Sequence, residues 1–495
     1  MGSWLSFKKG RSMRALSVRL TACFALVCMM IGLALAQQTA RGTPVRQIYV
    51  EPFTTQAGSE KFRDEVIRAL GNLHDVSLTR DKASADAVLG GGGSVWIKGY
   101  RSHNPQLGSV PANGSPIYNG FLSVELRDKE DQTLWSYLAT PPEASGDVAK
   151  DLATQIVNKL ASALNQIEVG SSAAPLSEPT TLLKGAGATF PFPVYTKWFS
   201  NYRRLDPTLQ ITYAAVGSEQ GIRELMAGRV DFGASDSPDA VHDLAAGDES
   251  KYLFFSSVVG AVVPIVNLPG LPGDIAFTPE ALAGIYLGKI TKWNDPVLTR
   301  INHGMHLPDL DITVVHRADG SGTSYVWTDY LSKTSPEWKS QVGTSIDPKW
   351  PAGIAGPGND GVAALVKEHA GSIGYVEFIY ALQNQMSYGR VRNQAGKFVS
   401  ASLESISAAV SHYGKAPRNF KESLVDMPGE GVYPIISFTW IVVPAHIPDE
   451  ARRNALVGFL KWMVGPGQRQ AAALGYLPLP AELSKKEQDA IRQID

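Results

Sequence analysis

Within Val314-Val315-His316-Arg317-Ala318-Asp319-Gly320-Ser321-Gly322-Thr323-Ser324, a fixed cation, a carboxylate and a set of hydroxyls stand a few residues apart. An apolar run precedes the segment and a helical pattern follows it. A strand that turns through Gly-Ser-Gly-Thr into a helix presents free backbone N–H groups at the positive end of the helix dipole, which suits a tetrahedral oxyanion. The Arg317 guanidinium can fork onto two oxygens of such an anion. Asp319 is out of place beside an anion unless the anion carries a proton, so on these residues alone Asp319 accepts that proton. The segment reads as a site for a protonated oxyanion, with hydrogen phosphate the obvious candidate.

Three earlier segments share this chemistry. Lys184-Gly185-Ala186-Gly187-Ala188-Thr189-Phe190-Pro191 precedes helix-patterned Val194–Tyr202, so its glycines let backbone amides approach a ligand and Thr189 adds a hydroxyl near the helix start. Val216-Gly217-Ser218-Glu219-Gln220-Gly221-Ile222 is again turn then helix, with Ser218 able to cap or to bind. In Asp231-Phe232-Gly233-Ala234-Ser235-Asp236-Ser237-Pro238, Asp236 ends a short strand.

Taken with Arg317–Thr323, these segments closely resemble, in content and order, the periplasmic phosphate-binding proteins that serve the phosphate-specific ABC transporter. The resemblance spans about 182–495 and continues through Ile290-Thr291-Lys292-Trp293-Asn294-Asp295, Gly358-Asn359-Asp360-Gly361 and Ile373-Gly374-Tyr375-Val376-Glu377. It implies an α/β, two-lobed periplasmic-binding-protein fold of type II, with the anion dehydrated between the lobes. Carried over by position, Thr189 and Phe190 bind through hydroxyl and backbone amide, Ser218 through its hydroxyl, and Ser321, Gly322 and Thr323 from the helix start. Arg317 supplies the positive charge. The resemblance moves the proton-accepting role to Asp236 and leaves Asp319 to orient Arg317. Lobe I is expected over 182–263 and 434–495, and lobe II over 264–433, with crossovers near Pro264 and Pro434. The chain departs from the family at Glu219-Gln220, where small residues are usual; Glu219 is expected to face solvent on the first helical turn, where a carboxylate suits the dipole.

The elements that must position this site occupy only part of the 495 residues. Residues 1–36 carry Lys8, Lys9, Arg11, Arg14 and Arg19, no acidic residue, and an apolar run from Leu20 ending in Ala34-Leu35-Ala36. That is the pattern of a secretory signal cleaved after Ala36. A retained membrane anchor is the alternative, since about 17 apolar residues are at the short limit for a span. Cys23 lies at the start of the run rather than after it, which argues against a lipoprotein, and the chain's other cysteine, Cys28, is also inside the signal. The mature protein then has no thiol for a disulfide, a metal or a nucleophile.

Residues 44–168 read as a separate α+β domain: strands at Gln47–Phe53, Ala87–Leu89 and Val95–Tyr100, a hairpin of Phe121–Arg127 with Thr133–Leu138, and helices over Lys61–Leu70 and Val148–Ile167. Gly90–Gly93 lacks the Gly-Lys-Ser/Thr that would follow in a phosphate loop and is expected to be a turn or bulge. The domain shows no catalytic constellation, which leaves it a docking role toward an unidentified envelope partner. Small, polar, proline-containing 169–181 is a linker. In the second unit, apolar runs at Ile211–Val216, Val258–Val266, Ile312–Val315 and Ile435–Val443 alternate with helices, which predicts largely parallel sheets.

Without the signal the chain is net acidic, unlike a nucleic-acid binder. His303 and His306 lack a third ligand and read as a surface loop, and neither a nucleophile nor a metal cluster is visible. The expected function is capture of inorganic phosphate in the periplasm and delivery to the permease subunits of an ABC importer, with no cofactor, no metal and no catalysis. The alternative is an envelope phosphate sensor or scaffold signalling through the N-terminal domain.

Overall fold

Two large sheets organise the described residues, beside smaller two- and three-stranded ones. The computed structural model describes residues 43–55, 61–74, 76–101, 115–141, 147–164, 167–169, 180–240, 249–270, 274–412 and 423–495; the expected signal and nearly all of the linker lie outside them.

The N-terminal sheet runs β2-β1-β3-β4-β5, from β1 (Gln47–Val50), β2 (Ser77–Thr79), β3 (Ala87–Arg101), β4 (Ser115–Arg127) and β5 (Thr133–Ala139). Helices α1 (Phe62–Leu70) and α2 (Val148–Ala163) cover one face with Phe62, Val66, Leu70, Leu152, Ile156 and Leu160, all buried. Gly90–Gly93 is not the turn or bulge expected: β3 runs straight through it, with Gly90 to Gly93 pairing in register with Glu125 to Leu122. The reason is close approach. A Cβ on Gly93 would lie 2.6 Å from the Phe62 ring and 2.5 Å from the Phe121 carbonyl, so the strand stays bare where α1 packs on it.

The second sheet runs β7-β6-β8-β13-β9-β12-β10-β11. Its strands are β6 (Thr181–Gly187), β7 (Leu209–Ala215), β8 (Phe232–Ser235), β9 (Tyr252–Asn267), β10 (Thr313–Arg317), β11 (Ile354–Gly356), β12 (Ser372–Glu377) and β13 (Ile436–Pro444). It is parallel at both ends, where β6 pairs with β7 and β8 and β10 pairs with β11 and β12. Its middle is antiparallel, against the expectation of a largely parallel sheet, because β9 and β13, which carry the chain between the lobes, run against each other and against their outer neighbours. β9 pairs with β13 from Tyr252 to Ala261 and with β12 from Val262 to Asn267. Trp327, Tyr330 and Trp338 are core residues, fully buried in lobe II, while the His316 ring stacks on Trp350 at 4.9 Å. Among the described residues no helix is long and apolar enough to cross a membrane.

The helices that follow β6, β7 and β10 aim their N-termini at the space between the lobes. They are α3 (Phe192–Leu205), α4 (Ser218–Met226) and α5 (Gly322–Thr334). α4 can lie against β6 only because Gly221 has no side chain: a Cβ there would be 2.1 Å from the Gly187 Cα. Gly221→Ala must push α4 off the sheet. It is expected to cost about 1–3 kcal/mol in chemical denaturation; an unchanged midpoint would mean that this contact does not hold α4 in place.

Candidate functional site

Arg317 is the last residue of β10 and its side chain is only 1% exposed. A buried guanidinium must be neutralised and hydrogen-bonded or it destabilises the fold. Asp319 meets this need: Nε donates to its Oδ1 at 2.8 Å, Nη2 donates to its Oδ2, and Oδ1 also accepts from the Gly358 amide at 3.0 Å. Burial raises the Asp319 pKa, but Arg317 and the Gly358 amide outweigh it and hold the carboxyl below its ordinary value. Both Asp319 oxygens are therefore committed, so the group is an orienter rather than an acceptor for a ligand proton. The remaining edge of the guanidinium reaches toward Thr323, with Nη1 3.4 Å from Oγ1.

Asp236 follows β8 and is fully enclosed. Thr439 donates to its Oδ1 at 2.5 Å, while Oδ2 is buried with no partner among the described residues. Burial pushes this carboxyl up to about 7, although Thr439 and the Arg317 charge pull the other way. A Cβ on Gly322 would lie 2.6 Å from both Asp236 Oδ2 and Ser218 Oγ, so these groups converge on one point at the start of α5. There the Gly322 amide donates to Ser218 Oγ at 3.0 Å, and Ser321 caps the helix by accepting from the Ser324 amide. Ser218, Ser321 and Thr323 are all buried.

The Thr189–Phe190 pair closes the site from the side of β6. Thr189 Oγ1 accepts from Asn359 Nδ2 at 2.8 Å and from the Asn359 amide at 3.3 Å. With two donors on its oxygen, the Thr189 hydroxyl is left to donate its own proton. The Tyr380 hydroxyl donates to the Thr189 carbonyl and that of Tyr476 to the Phe190 carbonyl, each at 2.6 Å. Tyr380 thereby fixes the peptide plane that aims the Phe190 amide, and Tyr476 anchors the peptide that follows it.

All nine residues singled out in the sequence are thus brought together: Thr189, Phe190, Ser218, Asp236, Arg317, Asp319, Ser321, Gly322 and Thr323. One expectation is corrected. Glu219 does not face open solvent: its amide donates to the Gly320 carbonyl at 3.1 Å, and a Cβ on Gly320 would fall 2.0 Å from its Oε2. Pressed against the opposite lobe, its carboxylate is met by Arg223 at 2.6 Å, one helical turn along α4. His303 and His306 are exposed.

Sequence reasoning assigned no role to Asn359, Tyr380, Thr439 or Tyr476. Asn359 stood inside a quoted motif, but its site partner Thr189 comes from a position 170 residues away. Nothing local distinguishes Thr439 or Tyr476 from core residues of a strand or turn. Asn359 and Tyr380 act from the other lobe, whereas Thr439 and Tyr476 reach Asp236 and Phe190 from far along the chain within one lobe.

With this geometry in view, comparison with known proteins is informative. A family model described as a PBP superfamily domain matches residues 173–466. The chain is 42% identical over 323 residues to the phosphate-binding protein PstS of Xylella fastidiosa strain Temecula1, an overlap of 64% of this chain and 88% of that protein. It is 41% identical over 315 residues to the phosphate-binding protein PstS of Pasteurella multocida strain Pm70, covering 63% of this chain and 90% of the relative. Among solved structures, a high-affinity periplasmic phosphate-binding protein (PfluDING) with bound phosphate shares the fold at a TM-score of 0.51 and 20% identity, over 62% of this chain and 93% of that one.

The Asp236 carboxyl yields a sign-definite prediction. It titrates near 3.8 when unperturbed and near about 7 in the folded chain, so the fold favours the protonated form and the ligand-free protein loses stability as pH rises through that window. Asp236→Asn removes the loss. The variant is expected to exceed wild type by on the order of 3 kcal/mol in urea denaturation near pH 8 and to match it near pH 4. A difference that does not change with pH would contradict the assignment.

Proposed function

The chain belongs to the phosphate-binding proteins of the PBP superfamily, and on that premise we propose that it captures inorganic phosphate in the periplasm, with residues 1–36 removed, and hands it to the permease of an ABC importer. The chain performs no reaction on its ligand; solute capture is its whole activity. Arg317 forks onto two phosphate oxygens, held by Asp319. Ser218, Thr189, Ser321 and Thr323 donate through hydroxyls, and Phe190 and Gly322 through backbone amides at the starts of α3 and α5. Asp236 accepts the proton that the phosphate carries.

One observation carries this reading: Asp236 Oδ2 is buried without a partner at the point where Ser218, Gly322 and the α5 N-terminus converge. A carboxylate there is matched by an anion that brings its own proton. A fully ionised sulfate would set one lone pair against another in a dry site, a loss of roughly 10²-fold or more in affinity.

Closure supports the same reading. The two lobes already touch through Ser218–Gly322, Glu219–Gly320, Thr189–Asn359 and Tyr325–Asp239 bonds, so a bound ion would be cut off from water. Inside such a site each donor acts at full strength, because no solvent competes for the anion.

Isothermal titration with phosphate and sulfate tests the assignment. Wild type is expected to bind phosphate and reject sulfate. Asp236→Asn, which can donate but not accept at Nδ2, is expected to narrow the preference by roughly 10²-fold. Arg317→Met is expected to abolish detectable phosphate binding while the protein remains folded. No phosphate binding by wild type, or an unchanged preference in Asp236→Asn, would overturn the proposal.

A further inference from the structure

The N-terminal domain has no place in the binding reading, yet its bare sheet face lies across the back of both lobes. Its grip on lobe I combines partly buried bonds to backbone with ion pairs to one helix. The Ser123 hydroxyl donates to the Ala473 carbonyl at 2.7 Å, and Ser136 Oγ donates to the Arg469 carbonyl and accepts from the Ala473 amide at 3.2 Å. Glu125 pairs with Lys197 at 3.0 Å, and Asp131 with Arg204, both on α3. The 466–477 segment that receives these bonds is tied to the lobe crossover through Gln468 to the Ser257 carbonyl and a bridge between Leu477 and Val259. It also carries Tyr476, which holds the Phe190 carbonyl in the site.

The grip on lobe II is different in kind. The Tyr137 hydroxyl donates to the Glu404 carboxylate at the start of α6 (Leu403–His412), and Lys159 pairs with the same carboxylate at 3.1 Å. Gln385 adds a bond to Ser94 at 3.0 Å. These contacts are all side chain to side chain, and Lys159 and Glu404 are about half exposed, so the bonds to the Glu404 carboxylate can break without unfolding anything. Between the two footprints lies a cavity of about 520 Å³, lined by Trp135 and Tyr137 of the domain, Ser407 of lobe II, and Arg469 and Leu477 of lobe I. Unfilled volume at the junction leaves room for lobe II to move against a domain fixed on lobe I.

We propose that the N-terminal domain is a closure clamp: seated on lobe I, it holds lobe II through the Tyr137–Glu404–Lys159 latch only when the cleft is shut. The structure has the lobes in contact across the cleft and the latch made, both in one state. An interaction present only in the closed state shifts the equilibrium toward closure, and therefore tightens any ligand whose binding requires closure. The clamp rests on the phosphate-binding reading above and adds a device that sets the affinity and residence time of that ligand from outside the cleft.

The test compares wild type with Tyr137→Phe/Glu404→Gln, which breaks the latch far from the ligand, and with Glu125→Gln, which alters only the lobe I footprint. Stopped-flow and calorimetry with inorganic phosphate are expected to show the latch variant weakened roughly 5-fold, mostly by faster release, with Glu125→Gln like wild type. Spin labels at Asn158→Cys and Ser411→Cys are expected to report one distance with phosphate and a longer, broader distribution without it. Equal release rates in the folded latch variant and wild type, or a label distance indifferent to phosphate, would overturn the clamp while leaving phosphate binding intact. Failure of wild type to bind phosphate would instead overturn the reading on which the clamp rests.

Discussion

A guanidinium sealed between two lobes is the constraint around which the binding module is arranged. Arg317 cannot be buried unless its charge is answered, and Asp319 answers it along one edge, through Nε and Nη2. A bidentate pair of this kind sets the plane of the guanidinium as well as its charge. The opposite edge then points toward Thr323 and the start of α5. An anion placed there meets a positive field that is already aimed, and no solvent must reorganise when it arrives. In the proposed reading Asp236 limits what that anion can be. Its free oxygen lies in the same enclosed space and rewards a ligand that brings a proton. Attraction from Arg317 and selection by Asp236 thus come from opposite lobes, and only closure brings them to bear on one ion.

The rest of the module keeps these two groups in register. β10 delivers Arg317 and β8 delivers Asp236, while β9 and β13 connect the lobes that carry them. Tyr380 holds the Thr189 carbonyl and so sets the Phe190 amide in the same peptide, while Tyr476 anchors the next carbonyl, that of Phe190. Asn359 decides the direction of the Thr189 hydroxyl by occupying its oxygen from the other lobe. Burial of so many hydroxyls is tolerable because each has a stated partner. The same logic accounts for the half-buried Glu219 at the rim, whose charge is taken by Arg223 on its own helix.

Much of this was legible in the chain because the site is built from turn-to-helix segments, and such segments announce themselves locally. Glycines, hydroxyls and an arginine at the end of an apolar run have few other uses. The two carboxylates were harder. Proximity in sequence favours Asp319 as the proton acceptor, and only the geometry shows both its oxygens spent on Arg317 and Gly358. The glycine tract misled for a related reason: four glycines suggest a turn, but what they answer is the Phe62 ring pressing on β3 from α1. Sheet direction in the middle of the module was likewise hidden, since an apolar run looks alike whichever way its neighbour points. Contacts between residues far apart in the chain leave no trace in local spacing, and the bonds of Asn359, Thr439 and Tyr476 to Thr189, Asp236 and Phe190 are of that kind.

The central claim is that a buried, proton-reading carboxylate opposite Arg317 defines the ligand, and competition between sulfate and phosphate on the wild-type protein as a function of pH tests it most directly. Near pH 8.5 Asp236 is ionised and sulfate is expected to compete negligibly; near pH 5.5 the carboxyl, pushed up to about 7, is protonated, can donate to sulfate, and the competition should strengthen roughly tenfold or more. Sulfate that competes equally at both pH values, or more strongly at the higher one, would contradict the account.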